Sequence, residues 1–394
     1  MQVGIGLSIA SDYLKAAKEA VEKARVNITE GNADLAFVFT TGEFGHPLVL
    51  KTISELLNNI PILGASTPAL ISNQGIFKHG LLIVIFSFTE ETYFNTACVK
   101  DTSDKNALAM GEELGGKLLY GCKGVHRNLT ILFSDITIPS RQNFIFGIQE
   151  KVGSSFPLFG AFTSHCPDTK KPLLYFGQQT IINAGCGVLW GGKLNFGLGV
   201  KHGWQPLGKP RWVTKSSGST VNEIDGQPAV NLYKDYLAQD IPELKKEFKH
   251  ISTLYPLGIK IKGEKEYLLR GLSSIENDGS LIFGADVPQD STIRLMIASK
   301  ESCLKATRQS AETTLKSIPA AKIKFALVFN SLARYTLLGR QVNQELNLIK
   351  EVLGKDLPLA GIYTCAEEAP LSSLNYLGKT YSHNNSIAIL TIAS

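Results

Sequence analysis

Three segments of the chain share one pattern, and this repetition constrains the fold more than any other feature. Pro61–Thr67 (PILGAST), Pro157–Thr163 (PLFGAFT) and Pro358–Thr364 (PLAGIYT) all read P-[IL]-x-G-[AI]-x-T. Each follows a β-rich run: Leu35–Phe39 (LAFVF), Leu129–Phe133 (LTILF) or Phe325–Phe329 (FALVF). The gaps from the last Phe of the run to the Pro are 22, 24 and 29 residues. In the first gap Leu50, Ile53, Leu57 and Ile60 fall on one helical face, and in the third Leu338, Val342, Leu346, Ile349 and Leu353 do the same. The second, with Phe144, Ile148 and Val152, is shorter. A right-handed crossover turns each strand-helix-strand unit into a parallel pair. A further strand closes each copy, at Leu81–Phe88, Ala184–Trp190 and Ile387–Ile392.

The fold class is therefore α/β, with repeated strand-helix-strand-strand units forming mixed sheets flanked by helices. An additional helix precedes the first copy, capped by Ser11 or Asp12, with Leu14, Ala17, Val21, Ala24 and Ile28 as its buried stripe. Between the second and third copies the texture changes. Lys209–Thr220 is polar, Gln227–Tyr236 starts a helix, and Tyr255–Ala298 reads as a β-meander with turns at Asn277-Asp278-Gly279 and Val287-Pro288. A boundary near Ser219–Asn222 predicts two domains, 1–221 and 222–394, the meander lying in the second.

Composition narrows the function classes. With 394 residues, 44% hydrophobic and 19% charged, the chain has ample material for a core. Its 40 Lys plus Arg against 35 Asp plus Glu give +5, too diffuse for a nucleic-acid binder. The longest apolar stretch, Gly80–Phe88, is about half of the ~20 residues of a membrane span, and the N-terminus lacks a signal-peptide pattern. None of the six cysteines forms a CxxC pair. The expectation is a cytoplasmic protein with reduced thiols and no membrane or nucleic-acid partner.

Chemical motifs are mostly absent. Gly111–Lys117 has phosphate-loop spacing, but Leu118 stands where a Ser or Thr would bind Mg²⁺, and Gly4-Ile-Gly6 lacks the third glycine of a dinucleotide fingerprint. There is no G-x-S-x-G and no H-E-x-x-H. A nucleophilic Cys166 or Cys365 near His165 finds no third residue, so the chain is expected not to be an enzyme. Ligands of open α/β sheets sit beyond the carboxyl ends of the strands. Here those are the loops Thr40–His46, Ser134–Arg141 and Asn330–Arg340, with the residues at and past the repeated motif: Ser66, Thr67, Thr163, His165, Cys166, Tyr363, Thr364 and Glu367.

The same residues resemble the FIST family, a bacterial sensory module with N- and C-terminal parts. The N-terminal part is similar to Ala33–Phe39, Pro61–Thr67, Gly197–Gly208 and Glu223–Val230. The C-terminal part resembles Tyr255–Gly258, Asp286–Pro288, Arg294–Met296, Leu357–Thr364 with Glu367, and His383-Asn384. The chain departs from the family pattern at Ala366, where Gly is usual, and at Ala161–Pro167, which replaces a Gly/Asp-rich turn. The resemblance implies sensing of small molecules, often amino acids, and signalling to kinases or cyclic-di-GMP enzymes. With both parts filling the chain, the partner is expected to be a separate histidine kinase or a cyclic-di-GMP synthase or phosphodiesterase. Homo-oligomer formation stays open.

One stand-alone branch of the family binds haem and senses nitric oxide. This resemblance implies non-covalent haem b, which needs a neutral imidazole or a thiolate facing an apolar slot. His202 is the first candidate ligand of the iron, and His165 with Cys166 the second. The competing reading is an amino-acid or carboxylate receptor without haem. There Arg334 or Arg340 clamps the carboxylate while Thr364, Tyr363 and Glu367 orient the rest.

Overall fold

The computed structural model describes residues 1–29, 31–101, 106–122, 124–163, 172–316, 318, 323–371 and 379–393. The first unit runs β1 (Gln2–Ser8), α1 (Tyr13–Arg25), β2 (Leu35–Thr40), α2 (Pro47–Leu56) and β3 (Ile62–Ser66). A short hairpin, β4 (Leu70–Ser72) and β5 (Gly75–Phe77), then leads to β6 (Leu81–Ser87). The second unit repeats that order. It comprises β7 (Thr92–Lys100), α3 (Ala107–Leu119), β8 (Arg127–Ser134), α4 (Arg141–Val152), β9 (Leu158–Phe162), the hairpin β10 (Leu174–Phe176) and β11 (Gln179–Ile181), and β12 (Ala184–Gly192).

The third unit begins with β13 (Asn195–Lys201) and is then interrupted by an insertion. The insertion starts with β14 (Gln205–Ser217), β15 (Thr220–Ile224), β16 (Gln227–Pro228), α5 (Asn231–Leu237), α6 (Ile241–Lys246) and α7 (Phe248–Leu254). It ends with β17 (Leu257–Lys260), β18 (Tyr267–Arg270), β19 (Leu272–Ile275), β20 (Leu281–Phe283) and β21 (Thr292–Ile297). All its pairings are antiparallel. The expected division at 221/222 falls inside β15. The unit resumes with α8 (Lys300–Lys316), β22 (Ile323–Ser331), α9 (Leu332–Leu338), α10 (Val342–Leu353) and β23 (Leu359–Thr364). Its hairpin is β24 (Ala366–Pro370) and β25 (Thr380–His383), and β26 (Ile387–Ala393) closes it.

Each unit builds one six-stranded sheet, but none completes its own. The sheet orders are β1-β6-β2-β3-β10-β11, β25-β24-β9-β8-β12-β7 and β13-β26-β22-β23-β4-β5. The hairpin of unit 1 extends the sheet of unit 3, that of unit 2 extends unit 1, and that of unit 3 extends unit 2. The exchange closes into a ring, and each hairpin covers the edge that β3, β9 or β23 would otherwise expose.

Alternation along the central strands shows where the core sits. Leu35, Phe37 and Phe39, then Leu129, Ile131 and Phe133, and Phe325, Leu327 and Phe329 all enter one shared core. Their neighbours Val38, Leu132 and Val328 face the helices instead. Phe133 holds the units together, edge-on to Phe37 at 5.3 Å and to Phe329 at 6.0 Å between ring centroids. Strands buried on both faces read as unbroken apolar runs, which is why the three signals were visible in the sequence.

The glycine of P-x-x-G-x-x-T has a steric reason. A Cβ on Gly64 would lie 1.8 Å from Val38 O, and one on Gly361 2.2 Å from Val328 O. The neighbouring parallel strand leaves no room for a side chain. The glycines of the two failed nucleotide motifs have the same purpose: a Cβ on Gly6 would meet Ala20 O of α1 at 1.8 Å, and one on Gly111 would meet Phe144 O of α4 at 2.1 Å. Gly64→Ala should lower unfolding free energy by about 1–3 kcal/mol through overpacking. Gly116→Ala, in a helix with open space around the new Cβ, should raise it by about 0.5–1 kcal/mol. Urea denaturation of the two variants measures both.

Candidate functional site

The repeat allows the same place to be compared in all three units. Strand pairing sets Tyr175 opposite Gly64, Glu368 opposite Gly160 and Ile71 opposite Gly361, so these three residues are structurally equivalent. The matching ends of the preceding parallel strands are Thr40, Ser134 and Asn330. In unit 1 the Thr40 and Tyr175 hydroxyls hydrogen-bond to each other. In unit 3 Asn330 donates to Glu345 Oε2 at 2.7 Å. In unit 2 the Ser134 hydroxyl and both carboxylate oxygens of Glu368 are buried with no hydrogen-bond partner among the described residues.

Next to Glu368 stands Glu367, the equivalent of Leu174 and Leu70, which belong to the central core. Glu367 is held by Thr364 Oγ1 at 2.6 Å and by Ser386, whose hydroxyl and N–H donate at 2.5 and 3.3 Å. Both glutamates are fully buried. Burial pushes the Glu367 carboxyl up to about 7, against the pull of Ser386, Thr364 and the Arg334 charge. It pushes Glu368 up to about 8, with Ser134 and Arg141 pulling the other way. The Ser134 hydroxyl is close enough to ease this shift but does not reach hydrogen-bonding geometry.

Arg141, the first residue of α4, completes the cluster. Its guanidinium lies 5.5 Å over the Phe162 ring, and among the described residues it has no hydrogen bond or ion pair. Burial lowers its pKa, while Cys365, Asp286, Glu367 and Glu368 act electrostatically to raise it. The insertion supplies the remaining side. Ser140 Oγ donates to Asp286 Oδ2 at 2.7 Å, and buried Arg270 donates through Nε to Asp286 O at 2.8 Å and through Nη1 to Ser382 O at 3.0 Å. Burial brings Arg270 down to about 9, helped by Arg141. The strand ends of unit 2, the hairpin of unit 3 and the insertion thus meet around one partly exposed arginine and two buried carboxyls. That arrangement can take a carboxylate on Arg141 and a hydrogen-bond donor or ammonium on the glutamates.

Of the sequence candidates, Thr163, Thr364 and Glu367 come together here. The Cys365 N–H donates to Phe162 O at 3.2 Å, drawing the two motif ends side by side. The Thr163 hydroxyl is buried without a partner among the described residues. Ser66 and Thr67 lie elsewhere in structural roles, Ser66 accepting from Leu173 N and Thr67 donating to Tyr363 O at 2.8 Å. Tyr363 packs edge-on to Tyr335 at 4.9 Å. Arg340 is exposed on a 3₁₀ turn. His165 and Cys166 lie outside the described residues. Arg141 closes the loop Ser134–Arg141 that the sequence marked. Glu368 and Arg270 carried no local signal beyond the Glu-Glu pair, and Asp286 entered only through the family resemblance at Asp286–Pro288.

Arg334 is a correction. Expected to clamp a ligand, it is fully buried in an ion pair with Glu345 (Nε–Oε1 3.1 Å) and also bonds Cys303 O at 2.9 Å, Thr307 Oγ1 at 2.7 Å and His202 O. Its donors are consumed by the α8–α9–α10 junction.

His202 does not fit haem. Its Nδ1 accepts from Trp204 N–H at 2.9 Å, so in the neutral ring the hydrogen sits on Nε2 and no lone pair is left there for iron. Burial holds its pKa down to about 4. Nε2 lies 3.7 Å from Glu266 Oε2, beside the Lys201–Glu266 ion pair. The adjoining cavity of about 530 Å³ is lined by charged groups such as Glu264, Lys265, Glu312 and Lys316, not by the apolar slot a macrocycle requires. Among the described residues no group of three or more His, Cys, Asp or Glu is placed to hold a metal ion.

Two outcomes follow. The glutamates keep their protons in the fold well above the ordinary carboxylate range. The unfolded chain therefore binds fewer protons between about pH 4.5 and 8, and stability falls as pH rises through that window. Glu368→Gln should be more stable than wild type by at least about 1 kcal/mol near pH 8, and the gap should close near pH 5; urea titrations at both pH values measure it. Arg334→Ala leaves Glu345 buried and unpaired and should cost about 3–5 kcal/mol of stability, read by the same titration.

Comparison with known proteins adds the family. The chain is 21% identical over 389 residues to the uncharacterized protein Rv0628c of Mycobacterium tuberculosis, covering 96% of this chain and 97% of that one. It is 24% identical over 315 residues to the uncharacterized protein MJ1623 of Methanocaldococcus jannaschii, covering 74% of this chain and 59% of the relative. Among solved structures it is similar to the cyanuric acid hydrolase from A. caulinodans, with TM-score 0.39 and 8% identity over 100% of this chain and 99% of that one. A second cyanuric acid hydrolase structure gives TM-score 0.38 and 7% identity, over 99% and 98% of the two chains. The expectation that the chain is not an enzyme is corrected on this finding, since the similar structures are hydrolases; at this distance the likeness assigns no reaction. The family model of the FIST N domain matches residues 34–227 and that of the FIST C domain matches residues 229–370, and the chain belongs to the FIST family, whose domains point to a sensory role in binding small ligands.

Proposed function

We propose that the chain is a sensory receptor for a small amino-acid-like ligand, held where the strand ends of unit 2 meet the hairpin of unit 3. One observation carries this reading. In unit 1 the equivalent position is closed by the Thr40–Tyr175 hydrogen bond and in unit 3 it is filled by apolar Ile71, whereas in unit 2 two carboxylate oxygens and two hydroxyls are buried without partners among the described residues, beside the partly exposed Arg141 guanidinium. Buried polar groups are costly unless satisfied, and a ligand bearing a carboxylate and an ammonium supplies the missing partners. Arg141 takes the carboxylate, and Glu367 and Glu368 take the ammonium. The receiving partner is a separate histidine kinase or cyclic-di-GMP enzyme, the class implied by the family resemblance.

The test is isothermal titration of the full chain with a panel of amino acids and dicarboxylates. A charge-assisted hydrogen bond contributes about 1.5–3 kcal/mol, so Arg141→Ala should weaken binding by roughly 10–100-fold while leaving the denaturation midpoint in place. Because Glu367 titrates at about 7 and Glu368 at about 8, affinity for ligands with an ammonium should rise as pH increases through neutrality, and Glu367→Gln should leave only the later part of that rise, which belongs to Glu368. Wild-type affinity in Arg141→Ala, or no binding across the panel, would overturn the reading. A sharp Soret band on hemin addition would replace it with a haem sensor.

A further inference from the structure

A second chemical feature lies at the opposite edge of the unit 2 sheet from the carboxyl cluster, in the cross-strand row that runs from Glu367 through Ala161 and Phe133. Cys98 on β7 and Cys186 on β12 are directly opposite each other in the antiparallel register, with their sulfurs 3.0 Å apart. Directly opposed residues of an antiparallel pair have Cα atoms about 4.5–5.5 Å apart, inside the 4.4–6.8 Å range of disulfides. The two thiols also differ in access. Cys186 is fully buried, whereas Cys98 is half-buried on β7, the last strand of its sheet.

We propose that Cys98 and Cys186 are a modification site, a vicinal thiol pair that hydroperoxides convert to a reversible cross-strand disulfide. Cys98 is the attacking thiol. The Cys186 thiol donates to it, and Lys100 and Lys117 place positive charge nearby, both of which favour the thiolate. Lys117 Nζ is anchored there by a 3.3 Å hydrogen bond to Cys98 O. The thiolate sulfur attacks one peroxide oxygen, the O–O bond breaks, and the other oxygen leaves as an alkoxide or hydroxide that takes a proton. Cys98 is then a sulfenic acid. The Cys186 sulfur loses its proton to solvent and attacks the Cys98 sulfur; the S–S bond forms and hydroxide leaves as water. The two thiols give up two electrons and two protons, and the peroxide is reduced to alcohol, or to water in the case of hydrogen peroxide, plus one water.

Cys303 and Cys122 sit in different surroundings. Cys303 is buried and pushed up to about 11, and Cys122 is buried with its thiol directed at Leu118 O and Tyr93. The experiment exposes the full chain to hydrogen peroxide, blocks remaining thiols and maps peptides by mass spectrometry. The expected result is a cross-linked peptide pair containing Cys98 and Cys186, lighter by two hydrogens and restored by dithiothreitol. The chain loses two of its six titratable thiols. Cys186→Ser should leave a Cys98 sulfenic acid that dimedone traps, and Cys98→Ser should leave Cys186 unmodified. Retention of all six thiols in wild type would overturn the assignment. So would a cross-link elsewhere, or Cys98 passing to sulfinic acid without one.

Discussion

The structure depends on the close approach of two parallel strands in each unit, with glycine as the only side chain that fits between them. Gly64, Gly160 and Gly361 bring the second strand of each pair against the first, and the chain then leaves its own sheet to complete another. Exchange of hairpins around three units covers every edge that the parallel pairs would leave open. It also forces the inner faces together, so that Phe37, Phe133 and Phe329 share one core. The repeated motif is thus the local condition for a global ring.

A ring of near-equivalent units gives an internal control that single-copy folds lack. Strand register at the three strand ends is the same, so equivalent positions can be compared side chain by side chain. Units 1 and 3 fill the position with tyrosine and isoleucine, and the neighbouring polar strand end is bonded in each. Unit 2 fills it with glutamate and adds Arg141 from α4 and Asp286 from the insertion. The insertion interrupts unit 3 between β13 and α8, yet it contributes to the junction of units 2 and 3, where the Arg141 guanidinium and two high-pKa carboxyls accumulate. Perturbed titration in a junction built from several chain segments is a mark of a binding site.

Much of this fold could be read from the sequence because its signals are local. Doubly buried strands give LAFVF, LTILF and FALVF, helical spacing gives Val342 through Leu353, and strand carboxyl ends locate Thr163, Thr364 and Glu367. What escaped was long-range. Nothing near Ile71 or Tyr175 tells which sheet the hairpin will join, and β13 gave no sign that it opens a unit resumed only at α8. Arg334 and His202 were misjudged for the same reason. Their residue types suit ligands, but their partners, Glu345 and the Trp204 amide, are disclosed only by tertiary packing. The steric use of the glycines in Gly4-Ile-Gly6 and Gly111–Lys117 becomes visible only with the helices in place.

Hairpin exchange also bears on how the chain is made. The sheet of unit 3 pairs Ile71 with Gly361, and that of unit 2 awaits Glu367 and Glu368. Until the third unit leaves the ribosome, β9 has no neighbour on its outer edge and the β4–β5 hairpin has no sheet to join. Contacts of such sequence separation make folding slow and late, and the waiting edges are templates for wrong pairing. The ring that covers the edges of β3, β9 and β23 in the finished molecule leaves the early units exposed during synthesis, so a chaperone that shields strand edges would matter more to this protein than to a stack of independent α/β units.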